Sequence, residues 1–555
     1  MSVGLSAFVA ILPILVIAVL LVAMRWPAAW AMPVGLALMV AIALAVWKVP
    51  PAYVGAGAVK GLIVAVNILL IIFGAILLLE TLKVGGAIAT IRRGLTQISP
   101  DRRVQAIVVA WLFGSFIEGV SGFGTPAAIA APLLLALGFP AMAAAACGLI
   151  IQSTPVSFGA IGTPILIGVK SGLAGASLGT EMDTYLSAVT VRVAFLHATI
   201  GTFIPLILVC VLTRFWGANR SWREGLGAWK FALFGGLCFT IPYFLVGWLL
   251  GPEFPSLLGA LLGLAVASTA AHKGIFCPRQ VWDFPPRATQ PEDWWGDLEI
   301  EADSGPLRWG MVRSWSCYVL VALLLVLTRL NHLPFLPDVS LKKMLTSRAV
   351  TISFANIFGT SIGSDIQPLY LPFATFLVVS LIGFVMFRVP PVGMAEAFRA
   401  TGKTIVKAGA ALIFAVPMVQ IFINSGANGV ENLASMPIAL ANAVALFMGR
   451  AWALAAPCIG ALGAFVAGSN TVSNMTFSLF QWGVADGLGF DTAWVVAQQA
   501  VGGAAGNMIC IHNVVAASAV VGLVGREGHL IRITALPMFY YLAAAGLIGA
   551  VVLLL

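Results

Sequence analysis

Glu118 sits in Gly114-Ser-Phe-Ile-Glu-Gly-Val-Ser-Gly-Phe-Gly-Thr-Pro126, between the apolar runs Ala106–Phe116 and Ala127–Leu137. An ionisable side chain inside so apolar a stretch is costly and by default points to a function. Burial disfavours the charged form of a carboxyl, so Glu118 is a candidate to take up and release a proton. The competing reading is a structural carboxylate hydrogen-bonded to the chain around it. Glu118, Gly119, Ser121, Gly122 and Gly124 interrupt the apolar pattern, Thr125-Pro126 restarts it, and Ser121, Gly122, Phe123, Gly124 and Thr125 are candidate substrate-binding residues. Thr is a good N-cap, and Pro suits the first helical position, where its missing N–H would be unpaired anyway. The spacing predicts a helix broken at membrane depth, its second half presenting free N–H groups and a positive dipole end to a cavity. Such a site suits a carboxylate without burying a full positive charge.

A related motif lies far downstream. Gly463-Ala-Phe-Val-Ala-Gly-Ser-Asn-Thr-Val-Ser-Asn474 repeats Gly-x-Phe-(Ile/Val)-x-Gly, and the Leu137-Gly-Phe139 that follows the first motif recurs as Leu488-Gly-Phe490. Here Ser469, Asn470, Thr471, Ser473 and Asn474 offer hydroxyl and amide groups after Gly468. A second polar break follows each motif. The first is Gln152-Ser153-Thr154-Pro155-Val-Ser157, before Gly159, Gly162 and Thr163-Pro164. The second is Gly502-Gly503 through Gly506-Asn507, then His512-Asn513. His512 is a candidate second protonatable group, or else a hydrogen-bonded structural histidine; the other histidines read as loop or helix-end residues. Small residues also allow close helix packing, but packing does not account for Glu118 or the Thr-Pro restarts.

The elements that hold these motifs are legible in composition. Of 555 residues 60% are hydrophobic and only 9% charged, and the mean hydropathy is +1.02. Soluble domains carry charge on about a quarter of their residues. Runs such as Leu5–Met24, Trp30–Trp47, Leu62–Leu79, Val191–Leu212, Phe231–Leu250, Leu371–Phe387 and Ala535–Leu555 can each cross about 30 Å of hydrocarbon. Roughly 12–14 such segments are expected. They lack the two-residue alternation of a β-barrel, so the fold class is an all-α polytopic membrane protein. Met1–Met24 lacks a basic n-region and cleavage site and reads as a first span rather than a signal peptide. The seven cysteines are scattered without metal-ligand spacing and read as small core residues.

The net charge of +9 reflects basic loops, not nucleic-acid binding. Lys83–Arg103, Arg214–Lys230 and Arg388–Lys407 should face the cytoplasm, which places the N-terminus outside. The segment before the first motif is basic, whereas its counterpart Gly429–Arg450 holds only Arg450 and Glu431. The two motifs should therefore enter the membrane from opposite sides, as in the inverted-topology repeats of secondary transporters. The expected division is a first membrane half (1–270), a charged loop (271–311) that reads as a solvated linker, and a second half (312–555). Glu80 and Lys83 read as interfacial, and Arg192 as a topology signal.

The motifs resemble the L-lactate permease family of proton-coupled 2-hydroxy-acid transporters. The resemblance spans most of the chain and is most specific at Ile98-Ser-Pro-Asp-Arg-Arg103, Glu118–Pro126, Pro155-Val-Ser-Phe-Gly-Ala160, Gly468–Asn474 and Ala519–Arg526. It implies uptake of L-lactate or glycolate with a proton, across the cell inner (plasma) membrane. The partners would be a small carboxylate, protons and the lipid bilayer, with no cofactor and no nucleic acid. A homodimer is one expectation for carriers of this kind, although no interface signal stands out. The chain departs from the family pattern at Asn470 (usually Asp), Gln152 (usually Asn) and Asn507 (usually Lys). Losing an acid and a base together suggests that a charge pair gave way to neutral groups, leaving Glu118 as the main proton carrier. Two further readings stand beside this one. One is a carrier for another small organic anion, with sodium as the alternative coupling ion. The other is a membrane-embedded enzyme, against which the chain has no His-Glu-x-x-His motif and no paired intramembrane aspartates.

Overall fold

The computed structural model describes residues 2–20, 24, 26, 28–96, 98–122, 124–296, 308–329, 340–428, 433–523 and 526–555. They are almost entirely helical. Among them nine helices are long and apolar enough to cross a membrane, and six shorter apolar helices of 10–17 residues account for most other hydrophobic runs. Full-length spans are fewer than the run count suggests because several runs are cut into half-length helices by breaks. The chain folds into two compact units, 1–91, 172–176 and 306–449 against 92–171, 177–305 and 450–555. Each unit takes segments from both sides of the acidic stretch, so the units do not coincide with the halves 1–270 and 312–555.

The first unit is built on Pro51–Val84 and Pro391–Ile423, helices of 34 and 33 residues. About 20 helical residues cross a bilayer, so both are long enough to project beyond it. Each opens with proline in its first turn, where the missing N–H costs nothing. They pack closely because Gly61 faces the backbone at Val416-Pro417, with Pro417 N 2.5 Å from where a Cβ would stand. Arg388–Lys407 is therefore not a loop: from Pro391 onward it is the first turns of the second of these helices. Among the described residues the exception to the all-α expectation is a hairpin, Ile352–Phe354 with Ser364–Ile366. It contains Asp365, and Asn356 takes a left-handed conformation between its strands.

The second unit surrounds the continuous helix Arg102–Ser121, whose apolar span is wholly buried. Its middle, Ala106–Phe113, winds with the wider π-helical turn that often marks functional segments. Outward-facing residues such as Leu245, Trp248, Phe539 and Val551 are exposed apolar groups, which in a spanning helix face lipid. Arg192 pairs with Asp491 at 2.6 Å and lies over the Trp494 ring, so it ties two helices together.

Where it is described, the acidic stretch is mostly exposed but is held to this unit at several points. The segment 273–296 docks on this unit. Asp101 and Arg103 form a buried ion pair at 2.6 Å. The Trp282 N–H donates to Asp101 Oδ2 at 3.1 Å, Arg103 donates to the Gln280 carbonyl at 2.7 Å, and the Trp282 indole donates to Glu224 at 2.9 Å. Arg526 donates to the carbonyls of Asp293 and Trp295. Buried Trp282 and Trp294 add apolar area that a charge-based reading does not weigh.

Removing one partner of a buried ion pair strands the other charge, at a cost of about 3–5 kcal/mol. Arg103→Ala should therefore lower the melting temperature of the purified protein clearly. Lys170→Ala breaks an exposed pair with Asp183 and should barely move it. Equal melting temperatures for Arg103→Ala and wild type would show that the docked segment does not depend on this pair.

Candidate functional site

Chain breaks in the second unit converge on one cavity. After Arg102–Ser121 the backbone takes positive φ at Gly122 (60°) and Gly124 (77°), and the next helix runs Thr125–Ala136. A Cβ on Gly122 would stand 2.8 Å from the Ala160 side chain, and one on Gly124 2.5 Å from Asn513 Oδ1. Glycine is required here by conformation and by space together. The second break follows Ala141–Ile150. It includes a 3-10 turn at Val156–Phe158 and then positive φ at Ala160 (42°), Ile161 (56°) and Gly162 (72°). A β-branched residue at positive φ is strained and persists only where its surroundings over-determine it. The third break is Gly468 (φ 73°) and Ser469, between Trp452–Ala467 and Asn470–Leu488. The fourth, 507–510, joins Thr492–Gly506 to Ile511–Ala519.

The cavity between them leaves about 20 Å³ open to the centre of a water molecule. That is only a little more than the ~10–15 Å³ a single water needs, so the cavity is small. Glu118, Gln152, Asn470, Asn507 and Asn513 line it, together with Gly122, Gly124, Gly159 and Gly468. Glu118 is 3% exposed. Its Oε1 lies 2.5 Å from where a Cβ on Gly159 would be, so the carboxyl rests directly on that backbone. The Gln152 amide lies beside it without completing a well-formed hydrogen bond. Glu118 Oε2, Gln152 Nε2 and Asn470 Oδ1 are buried without a partner, which leaves the lining residues two acceptors and a donor to offer. None of the described cavity-lining residues is cationic. The positive potential comes instead from two helix N-termini, Thr125–Ala136 through Gly124 and Asn470–Leu488 through Ser469, Asn470 and Thr471.

The structure moves several details of the sequence reading. The first helix does not stop at Glu118 but continues to Ser121, because Gly119 packs against the Ser256-Leu257 backbone and stays helical. Thr125 is not the N-cap. Gly124 occupies that position, and Thr125 is the first helical residue. Gly502, Gly503 and Gly506 are not a break: Thr492–Gly506 is a continuous helix. Its Gly506 would place a Cβ 2.6 Å from Ala461 Cα, so these glycines bring two helices into close contact, and the polar interruption begins at Asn507.

Of the predicted site residues, Gly122, Gly124, Gln152, Ser469, Asn470, Thr471 and Asn507 line the cavity with Glu118. Others turn to the protein. Ser121 donates to the Ile117 carbonyl (2.9 Å), Ser153 to Ile150 (2.8 Å), Ser473 to Gly460 (2.8 Å) and Asn474 to Pro164 (3.2 Å). Thr154 bonds the Tyr541 hydroxyl at 3.0 Å. His512 stands on the first turn of Ile511–Ala519, exposed and not itself part of the lining, although its Cβ packs beside Gly468, which is. Phe123 lies outside the described residues. Sequence reasoning gave no site role to Val156 and Ala160, whose ordinary side chains carry no signal. It also placed His197 among loop or helix-end histidines. His197 is fully buried within Met182–Gly201, and its position inside the apolar run Val191–Leu212 was the available sign.

The sequence profile of the L-lactate permease family matches residues 6–555. The chain is 31% identical to a candidate L-lactate permease of Haemophilus influenzae, over 98% of each chain. It is 27% identical to the L-lactate permease of Escherichia coli K12, over 99% of this chain and 96% of the relative. To the glycolate permease of the same strain it is 26% identical, over 98% and 95%. A match running nearly end to end, over a multi-pass membrane chain whose broken helices meet at one small polar cavity, is decisive: the chain belongs to the L-lactate permease family.

Proposed function

We propose that this protein is a secondary active transporter of the plasma membrane that carries a small monocarboxylate, L-lactate or glycolate, together with a proton held by Glu118. The observation that carries this reading is a buried carboxyl on a cavity with two helix N-termini and no cationic side chain. A substrate carboxylate is attracted to the positive dipole ends of those helices; at the first, the Thr125 N–H already bonds the Gly122 carbonyl and Pro126 has none to give. The carboxylate then lies close to Glu118. Two like charges about 5 Å apart repel by about 3 kcal/mol at an effective dielectric of 20, which is roughly a hundredfold in affinity. Protonating Glu118 removes that penalty and turns its carboxyl into a donor for the substrate. Binding of anion and proton is thereby linked, and linkage is reciprocal. Names of relatives that include both an L-lactate and a glycolate permease support a short monocarboxylate with the acid as the shared feature.

In this reading the helix–glycine–helix segments at Gly122–Gly124 and Gly468 act as corresponding parts of two inverted repeats, the arrangement that serves alternating access around a fixed midplane site. Asn470 and Asn507 line the same cavity. Neutral groups at both places leave the proton on Glu118 as the charge that balances the substrate.

In proteoliposomes with an inward pH gradient, wild type should accumulate radiolabelled L-lactate. Glu118→Gln should lose gradient-driven accumulation by tenfold or more while keeping lactate–lactate exchange, about the loss expected of a coupling group. Undiminished accumulation by the variant would overturn the assignment of Glu118. Uptake that follows sodium and ignores pH would mark an anion carrier of another coupling. Asn470→Asp adds a second acid to the cavity and should raise the KM for lactate by about tenfold at neutral pH. Adding Asn507→Lys should recover most of that loss. If the pair is no better than Asn470→Asp alone, positions 470 and 507 do not form a charge pair.

A further inference from the structure

The second break is held by a hydrogen-bonded chain that the cavity itself does not use. His197 Nδ1 lies 2.5 Å from the Tyr541 hydroxyl, and its Nε2 lies 2.8 Å from Ser157 Oγ. Ser157 Oγ is also 3.1 Å from the Ala500 carbonyl, and Thr154 Oγ1 is 3.0 Å from Tyr541. All four side chains are fully buried. The carbonyl end sets the direction of the whole chain. A peptide carbonyl only accepts, so the Ser157 hydroxyl proton goes to Ala500. Ser157 oxygen then accepts from His197, which must carry its proton on Nε2. With only uncharged partners a buried imidazolium would be costly, so Nδ1 is bare and accepts from Tyr541, whose oxygen in turn accepts from Thr154. Every donor and acceptor has one role, and the imidazole is neutral.

Such a chain cannot pass a proton onward, because it terminates on a carbonyl rather than on a titratable group. It can fix geometry. Thr154 and Ser157 belong to the segment that carries Gln152 and Gly159 to the cavity. The same segment is gripped by Tyr243, which donates to the Thr154 carbonyl at 2.8 Å, and by Ser256, which donates to the Pro155 carbonyl at 2.6 Å. Gly201, one turn beyond His197, has no side chain and leaves room for Thr154. The Ala500 carbonyl also accepts from Asn470 Nδ2 at 3.2 Å, so the chain ends on the atom that orients the facing wall of the cavity.

We propose that His197 is a positioning residue for transport: as a neutral Nε2–H imidazole it clamps the Thr154–Ser157 segment to the Tyr541 and Ala500 helices and so sets Gln152 and Asn470 against Glu118. The transport part of this inference rests on the monocarboxylate reading above; the tautomer part does not. The test therefore has two arms on the full-length protein. In the first, ¹⁵N-histidine NMR compares wild type with His197→Gln to assign the residue among the five histidines. Its resonances should show a protonated Nε2 and a bare Nδ1 at the assay pH, and Tyr541→Phe should shift Nδ1. A doubly protonated ring, or the opposite tautomer, overturns the proposal whatever the substrate is.

In the second arm, Tyr541→Phe and Ser157→Ala should each raise the KM for lactate by about tenfold, the loss expected of one buried hydrogen bond, with the pH dependence of uptake unchanged. The double variant should be little worse than the poorer single, since both cut one chain. His197→Gln, whose amide supplies one donor and one acceptor, should stay within about threefold of wild type. Lower stability at an unchanged KM would reduce the chain to a structural role. Loss of pH-driven accumulation with retained exchange in His197→Gln would make His197 a proton carrier instead. Either result overturns the inference, and wild type that transports no lactate would strike the substrate reading alone.

Discussion

Inside hydrocarbon no water is available to peptide groups, so a helix may be interrupted only where the protein itself supplies the missing hydrogen bonds. The second unit is arranged around that requirement. Its breaks free carbonyls at Thr154, Pro155, Ala160, Pro164 and Asn507, and each receives a side-chain donor, from Tyr243, Ser256, Thr163, Asn474 and Asn513 in turn. Many polar residues of the motifs are thus occupied in making the breaks possible. The residues left over at the cavity, Glu118 and Gln152 above all, have hydrogen-bonding capacity to spend on a solute.

The same economy governs charge. A carboxylate substrate could be met by a buried lysine or arginine, but an isolated cation in such surroundings is expensive to bury. Helix N-termini provide a positive end without that cost, and bringing two of them to one point requires close backbone approach. Gly119 against Ser256-Leu257, Gly122 against Ala160, and Gly506 against Ala461 provide it. The result is a cavity of small volume, in which, in the proposed cycle, a single proton on Glu118 decides whether an anion is tolerated. Coupling in the proposed cycle follows from the size and poverty of charge of the site, without a dedicated proton channel being invoked.

How much of this was legible in the sequence depends on the range of the forces involved. The apolar runs, the glycines before Thr125 and Asn470, and the isolated acid at 118 report hydropathy and local backbone freedom, which act within a few residues. Those features led to the helical membrane fold and to the elements around the cavity. The rest was not local. Gly119 and Gly502 resemble break residues in type, yet stay helical because a neighbouring backbone occupies the space a side chain would need. Thr154 and Asn474 look like ligands in a polar motif, but tertiary partners claim them.

Composition and spacing by themselves determined that this chain crosses a membrane and that its helices break near Glu118 and Asn470, because burial cost and helix termination are properties of the local chain. Only the tertiary structure decided which polar groups face the cavity, that segments from both sides of the acidic stretch fold into each compact unit, and that His197 stands in the interior bound at both ring nitrogens. Hydrogen bonds are directional and short. Between residues as distant in the chain as His197 and Tyr541, they exist only once packing has brought the two helices together.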